Sequence, residues 1–342
     1  MELIKPDINL DFVGKRRIAY AISAVMILIS IASLVAHGGP RYGIDFAGGT
    51  VIQIKFQGPV EIAKVKDSLA AANMAGASIQ RFGDAHFNEF LIRAEGSIET
   101  QGEFADALQK AAAEATGTGA EVRRIEMVGP QVGQDLREKA LLAIFFSLLF
   151  IAIYISGRFE FKWLISGVMA AALAGAVYLL SLFHVGIPLL IVAALIITLA
   201  LFYFLDLKYA MGAIVALLHD VVITVGLFSL FDKEFSLPII AALLTIIGYS
   251  LNDTIIVYDR IRENLRRYHK NPLLFIINRS VNETLSRTVL TAGTTLLTVV
   301  ALFSLGGGII HDFAFAMLVG VAVGTYSSVY IASPILLAWQ KR

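Results

Sequence analysis

LPIIAALLTIIGYSLNDTIIVYDRIREN, residues 237–264, decides how this chain is read. From Leu237 to Tyr258 the residues are apolar or small almost throughout, long enough to cross a hydrocarbon core of roughly 30 Å as a helix. Asp253 stands inside that run, with Asn252 before it and Ile255, Ile256 and Val257 after it. Tyr249, four residues earlier, shares its helical face. Charged residues resume at Asp259 and then dominate, so the same sentence of sequence contains a membrane span, an ionisable group within it and its exit into water.

Seven further segments have this apolar character: 18–36, 140–156, 163–183, 187–205, 209–231, 288–305 and 313–339. Between the third and the fourth the only break is FHVGIP, where Gly186 and Pro188 predict a turn. The composition agrees. Of 342 residues, 57% are hydrophobic and 16% charged, with a mean hydropathy of +0.74. Soluble domains carry about 25% charged residues, so a single soluble globule and a disordered chain are both excluded. A net charge of +1 excludes a bulk nucleic-acid binder. The absence of cysteine excludes a disulfide framework, a thiolate zinc site and a thiol nucleophile.

Short loops rich in Lys and Arg face the cytoplasm. Lys5, Lys15, Arg16 and Arg17 precede the first span, Arg158 and Lys162 follow the second, and Lys208 follows the fourth. Seven more basic residues lie in 259–287, and the chain ends Lys341-Arg342. The short loops opposite, 184–187, 232–236 and 306–312, contain only Lys233. Both termini are therefore expected on the cytoplasmic side. The first span is read as an uncleaved anchor, because its apolar run exceeds the ~7–15 residues of a signal-peptide core.

Residues 37–138 differ in kind. TVIQIKF (50–56), ASIQRF (77–82), EFLIRAE (89–95) and EVRRIEMVG (121–129) read as strands. VEIAKVKDSLAAANM (60–74) and GEFADALQKAAAEAT (102–116) read as amphipathic helices. The order β-α-β-β-α-β predicts the split βαβ, or ferredoxin-like, arrangement. His86 is alone beside a turn and is expected at the surface. The predicted fold is an α-helical polytopic membrane protein of about eight spans, with one small α+β ferredoxin-like extracytoplasmic domain. Its parts are a cytoplasmic tail (1–17), span 1 (18–36), the outer domain (37–138), spans 2–6 (139–258), a basic amphipathic cytoplasmic segment (259–287), spans 7–8 (288–339) and a tail (340–342).

Ionisable residues inside spans are costly, and each is a functional candidate. Asp253 reads as a protonatable carboxylate in a polar path, against a purely structural hydrogen-bonding role. Arg287 lies at the mouth of the seventh span, antiparallel to the sixth, and can face Asp253; the alternative is an interfacial arginine that snorkels. His219-Asp220, with Thr224 one turn on, lies mid-span and must pair or line water; polar packing is the plain alternative. His311-Asp312 is expected in a solvated outer loop. Segment 259–287 can lie on an anionic leaflet, dock a partner, or serve as a positive-inside anchor. No P-loop, GxSxG or HExxH motif occurs, so no enzyme, cofactor or metal is predicted.

Several stretches together resemble the SecF family, the smaller subunits of bacterial SecDF complexes, within the resistance-nodulation-division superfamily. They are FVGKRRIAYAIS, YGIDFAGGT, VGPQVGQDLREKA, ALLHDVVIT, GYSLNDTIIVYDRIREN and NETLSRTVLTAGTTLL, in that order. The resemblance implies a bacterial cytoplasmic (inner) membrane protein, partnered by SecD and the SecYEG channel. In that role the proton-motive force would promote late export of a translocating preprotein. It implies a proton path through Asp253 and Arg287, and it leaves His219, Asp220, Tyr249 and Asn252 as further candidates. A subunit of a proton-driven small-molecule exporter and a non-conducting scaffold are the alternatives. The chain departs from the family in one respect: typical members have six spans. The surplus is 163–205, and it reads as a duplicated helix pair, because Phe159-Glu-Phe-Lys-Trp163 recurs as Leu205-Asp-Leu-Lys-Tyr209.

Overall fold

The computed structural model describes residues 8–71, 77–82, 87–94, 101–181 and 187–339. His86 and the expected turn at 184–186 lie outside them. Among the described residues, six helices are long and apolar enough to cross a membrane: α1 (Arg16–Ala36), α5 (Pro130–Glu160), α8 (Lys208–Leu230), α9 (Leu237–Arg267), α10 (Leu273–Leu305) and the stretch Ile310–Ile335 that includes most of α11 (Gly308–Ser327). Two further apolar helices, α6 (Trp163–Ser181) and α7 (Ile187–Phe204), fall where the third and fourth spans are expected, and pack against α5 and each other.

The sheet domain has short helix α2 (Ile44–Ala47), strands β1 (Gly49–Phe56), β2 (Ser78–Phe82), β3 (Glu89–Ala94) and β4 (Ala120–Val128), and helices α3 (Ile62–Ala71) and α4 (Gln101–Thr116). The strand order is β2-β3-β1-β4, with every neighbour antiparallel. That is the split βαβ topology the alternation predicts. Ile52, Ile54 and Phe56 on one face of β1 meet Phe90 and Ile92 of β3, Val65 and Leu69 of α3, and Leu108 and Ala112 of α4. Phe56 and Phe90 meet edge to face. Gly48 and Gly49 turn the chain from α2 into β1 at φ +76° and +119°, in the left-handed region that glycine tolerates. A Cβ on Gly48 would lie 2.8 Å from Pro130 Cα, so this turn also seats the first residue of α5.

Three expectations are corrected. Residues 259–287 are not a separate surface segment. α9 runs on to Arg267, and α10 begins at Leu273, before the predicted span at 288. The cause is local: Arg260 pairs with Glu263, Arg279 with Glu283, and Asn264 donates to Ser280 Oγ and Glu283 Oε2, so the amphipathic stretches continue both helices and zip them together. The final span is not one uniform helix. It passes through a π-helical turn at Ser328–Ala332 and a 3₁₀ turn at Leu336–Trp339, around Pro334, which has no N–H to donate. His311 and Asp312 do not lie in a free loop. They fall in α11, where the His311 ring stacks on Phe303 and Asp312 pairs with Lys233.

The basic segments gather at one end. Arg158 pairs with Asp259 at 2.7 Å, Lys162 donates to the Leu205 carbonyl at 2.9 Å, and Asn278 and Asn282 receive the backbone of Leu10, Phe12 and Val13. The sheet domain sits at the opposite end, bound to the α8–α9 turn by a parallel bridge between Tyr42 and Phe235.

Candidate functional site

Four helices converge around the middle of α8. Small residues permit the approach. Ser30 of α1 lies against Gly226 of α8, where a Cβ would come within 2.0 Å of it. Ser250 of α9 and Asp220 of α8 both approach Gly324 of α11. Gly248 of α9 faces open space, and Ser250 and Gly324 supply the close contact between α9 and α11.

Within this convergence His219 and Asp220 are both buried. Asp220 Oδ1 lies 2.9 Å from His219 Nδ1. Asp220 Oδ2 accepts from Ser250 Oγ at 2.6 Å and from Ser327 Oγ at 2.8 Å. The other imidazole nitrogen, Nε2, lies 3.1 Å from Ser23 Oγ on α1, and Ser23 in turn meets Tyr326 Oη on α11. Thr224 bonds back to the Asp220 carbonyl. A buried polar network is stable when its members are satisfied, and both Asp220 oxygens are occupied. Ser23, Ser250 and Ser327 are the residues that sequence reading missed here. Their only signal is their placement as small polar residues in apolar spans.

Asp253 is the contrast. It lies on α9 one turn beyond Ser250 and is 1% exposed, yet neither of its carboxylate oxygens has a hydrogen-bond partner. The hydroxyl of Tyr249, four residues back on the same face, is likewise buried and unpartnered. Arg287 lies on the neighbouring helix, α10, which packs against α9. Among the described residues, however, the Arg287 side chain makes no hydrogen bond or ion pair, and it is exposed. Asn252, Thr245 and Gly248 on α9 and Thr294 and Thr298 on α10 are exposed as well. The two helices thus present a polar face outward next to a buried, empty-handed carboxylate. Removing a carboxyl group from water without a partner costs several kcal/mol, so a carboxyl held in this way is suited to taking up and releasing a proton. No cluster of three or more His, Cys, Asp or Glu suited to a metal occurs among the described residues.

A second carboxylate also holds a structural position. Glu160 Oε1 accepts from the backbone N of Tyr209 at 2.9 Å, at the start of α8, while the Tyr209 ring stacks on Phe159 and Tyr258 meets both rings edge to face. Tyr258 reaches across to the Ala332 carbonyl of the π-helical turn at 3.0 Å.

A protein translocase subunit SecF from Magnetococcus marinus is 41% identical over 98% of this chain and 94% of its own length. The chain belongs to the SecF family. A SecF subunit from Vibrio alginolyticus is 38% identical over 98% of the chain and 91% of its own length. The family model described as protein export membrane protein SecD/SecF, C-terminal, matches residues 108–200 and again 181–342, and the SecD/SecF GG motif matches 34–60. Among solved structures, the crystal structure of SecDF from Thermus thermophilus superposes with a TM-score of 0.73 at 33% identity, covering 99% of this chain. SecDF in its super-membrane-facing form superposes with a TM-score of 0.63 at 34% identity. The SecF-family chain spans 40% of the length of each of those SecDF chains. The stretch matched by the GG motif contains the turn at Gly48 and Gly49, and also Gly38 and Gly39. As a SecF-family chain, this is a membrane protein with a role in protein export.

Proposed function

We propose that the chain works with a SecD-type subunit beside the SecYEG channel, and that the pair uses the proton-motive force to complete preprotein export. The observation that carries this is Asp253: buried, with both oxygens unpartnered, beside an exposed Arg287 on the adjacent helix. In this reading Asp253 takes up the proton, and Arg287 sets its charge balance once a partner subunit covers the polar face of α9 and α10. The SecDF chains that this one resembles are more than twice its length, which leaves a large region for a SecD-type partner to supply. His219 and Asp220 hold α1, α8, α9 and α11 in register, and Tyr249 and Asn252 border the proton site.

The chain would lie in the cytoplasmic membrane with the basic end and both termini inside and the sheet domain outside, as loop charges favour. Helices α6 and α7 would be an inserted pair of spans. The two matches of the family model overlap over 181–200, inside the surplus, as an insertion would produce. One proton crossing is worth about 2.3 kcal/mol per 100 mV, enough to bias a two-state element whose states differ by a few kcal/mol.

The experiment uses inverted vesicles holding the channel, the SecD-type subunit and this chain, with ATP-driven movement stopped. A proton gradient is expected to complete export with the native chain and not with Asp253→Asn at equal membrane levels. Equal completion by both overturns the reading.

A further inference from the structure

The sheet domain grips the residues that open α9. Gly43 N donates to the Phe235 carbonyl and Phe235 N to the Arg41 carbonyl, each at 2.7 Å. Arg41 pairs with Asp232 at 2.6 Å. Glu234 receives two guanidiniums, Arg41 at 3.5 Å and Arg93 from β3 in the sheet itself. Asp45 of α2 then places Oδ2 at 2.8 Å from the backbone N of Leu237, the first residue of α9. Ser236, at the N-cap of that helix, makes no side-chain cap of its own. A carboxylate from another element therefore does what the local residue does not, at the helix end where negative charge is favoured. On its other side the same turn is held to α11 through Lys233 and Asp312.

α9 continues as one helix from Leu237 past Asp253 to Arg267. At 1.5 Å per residue, Asp253 lies about 24 Å along it from the capped end. A helix of this kind transmits axial displacement and rotation.

We infer that Asp45 and Glu234 clamp the sheet domain to α9, so that domain and helix move as one body and a displacement of α9 at Asp253 is delivered to the domain. Asp45 is then a positioning residue for Asp253, acting from the far end of the helix. The inference rests on the proposed proton role of Asp253 for its function, but not for its geometry. It differs from a purely structural role in what it makes move together.

The chain has no cysteine, so Lys110→Cys on α4 and Arg266→Cys at the other end of α9 provide two unique spin-label positions, both exposed. Distances between them are measured in the full chain assembled with its SecD-type partner in lipid vesicles. With the clamp intact, the distribution is expected to be narrow, and to keep both its position and its width when Asp253→Asn is introduced. In Asp45→Ala with Glu234→Gln it is expected to broaden, and proton-driven export to fall severalfold at equal membrane levels. Asp45→Asn, which still offers a cap acceptor, is expected to behave as the native chain. A narrow distribution or undiminished export in the Asp45→Ala, Glu234→Gln variant overturns the clamp. Normal export by Asp253→Asn would overturn the proton role instead, and the widths of the distributions would still decide the clamp.

Discussion

Ser250 donates to Asp220 Oδ2 at 2.6 Å, one helical turn from Asp253, whose own oxygens have no partner. Two buried carboxylates on adjacent helices are thus treated in opposite ways. One is saturated and holds helices in register. The other is left available.

Asp220→Ala is expected to destabilise the fold by ~3 kcal/mol or more, because His219, Ser250 and Ser327 lose their common acceptor inside the bundle. Asp220→Asn keeps part of the acceptor set and costs less. Thermal unfolding in detergent measures both. A native-like melting temperature for Asp220→Ala would contradict the structural role.

Asp253→Asn is expected to leave that melting temperature nearly unchanged, since no hydrogen bond is lost, while abolishing export driven by a proton gradient. The pair of variants separates stability from coupling: one carboxylate should govern each.

Arg287→Lys is expected to impair export once the SecD-type partner is assembled. Lysine keeps the charge but not the planar fork that engages a carboxylate at two points. Native export with lysine at this position would assign Arg287 to simple interfacial anchoring.

Deleting 163–208, which joins Lys162 to Tyr209, is expected to give a folded, assembled chain. Glu160 already touches Tyr209 at 2.9 Å, so the points where the surplus pair leaves and rejoins the chain are in contact. Phe161 and Asp206 turn at φ +56° and +54° on the two flanks. Failure to accumulate in the membrane would show that α6 and α7 are required for the bundle.

A single cysteine at Val185 is expected to label from the outer side, and one at Lys270 only from the cytoplasmic side. Labelling of Val185 from the cytoplasm alone would break the eight-span reading.

The sheet domain was legible because its signals are local. Alternation in 50–56 and the Val65–Leu69 stripe each report one face of one element, and the order of elements then limits the topology. Spans were legible by length, but their ends were not. Hydropathy stops near Tyr258, whereas the helix continues on pairs such as Arg260–Glu263 that a hydropathy reading treats as loop. Asp253 announced itself as a charge among apolar residues. Its partnerless state did not, because that depends on which side chains of α8, α10 and α11 point elsewhere. Ser23, Ser250 and Ser327 come from three distant parts of the chain and meet only around the His219–Asp220 pair, Ser23 on the imidazole and the other two on the carboxylate. The bond from Asp45 to Leu237 joins two segments whose sequences, read separately, suggest nothing about each other.

That last contact also sets a timetable. The final strand of the sheet domain ends at Val128, and the turn that grips the domain begins at Asp232. At about 5–20 residues per second of synthesis, the interval is on the order of 5–20 s. Throughout it the domain must stand on its own core of Ile52, Ile54, Phe90 and Leu108, tethered by α1 and α5 alone. A newborn chain therefore passes through a stage with a finished domain and no attachment to α9, and only the arrival of Glu234 and Leu237 converts a tethered passenger into a working part.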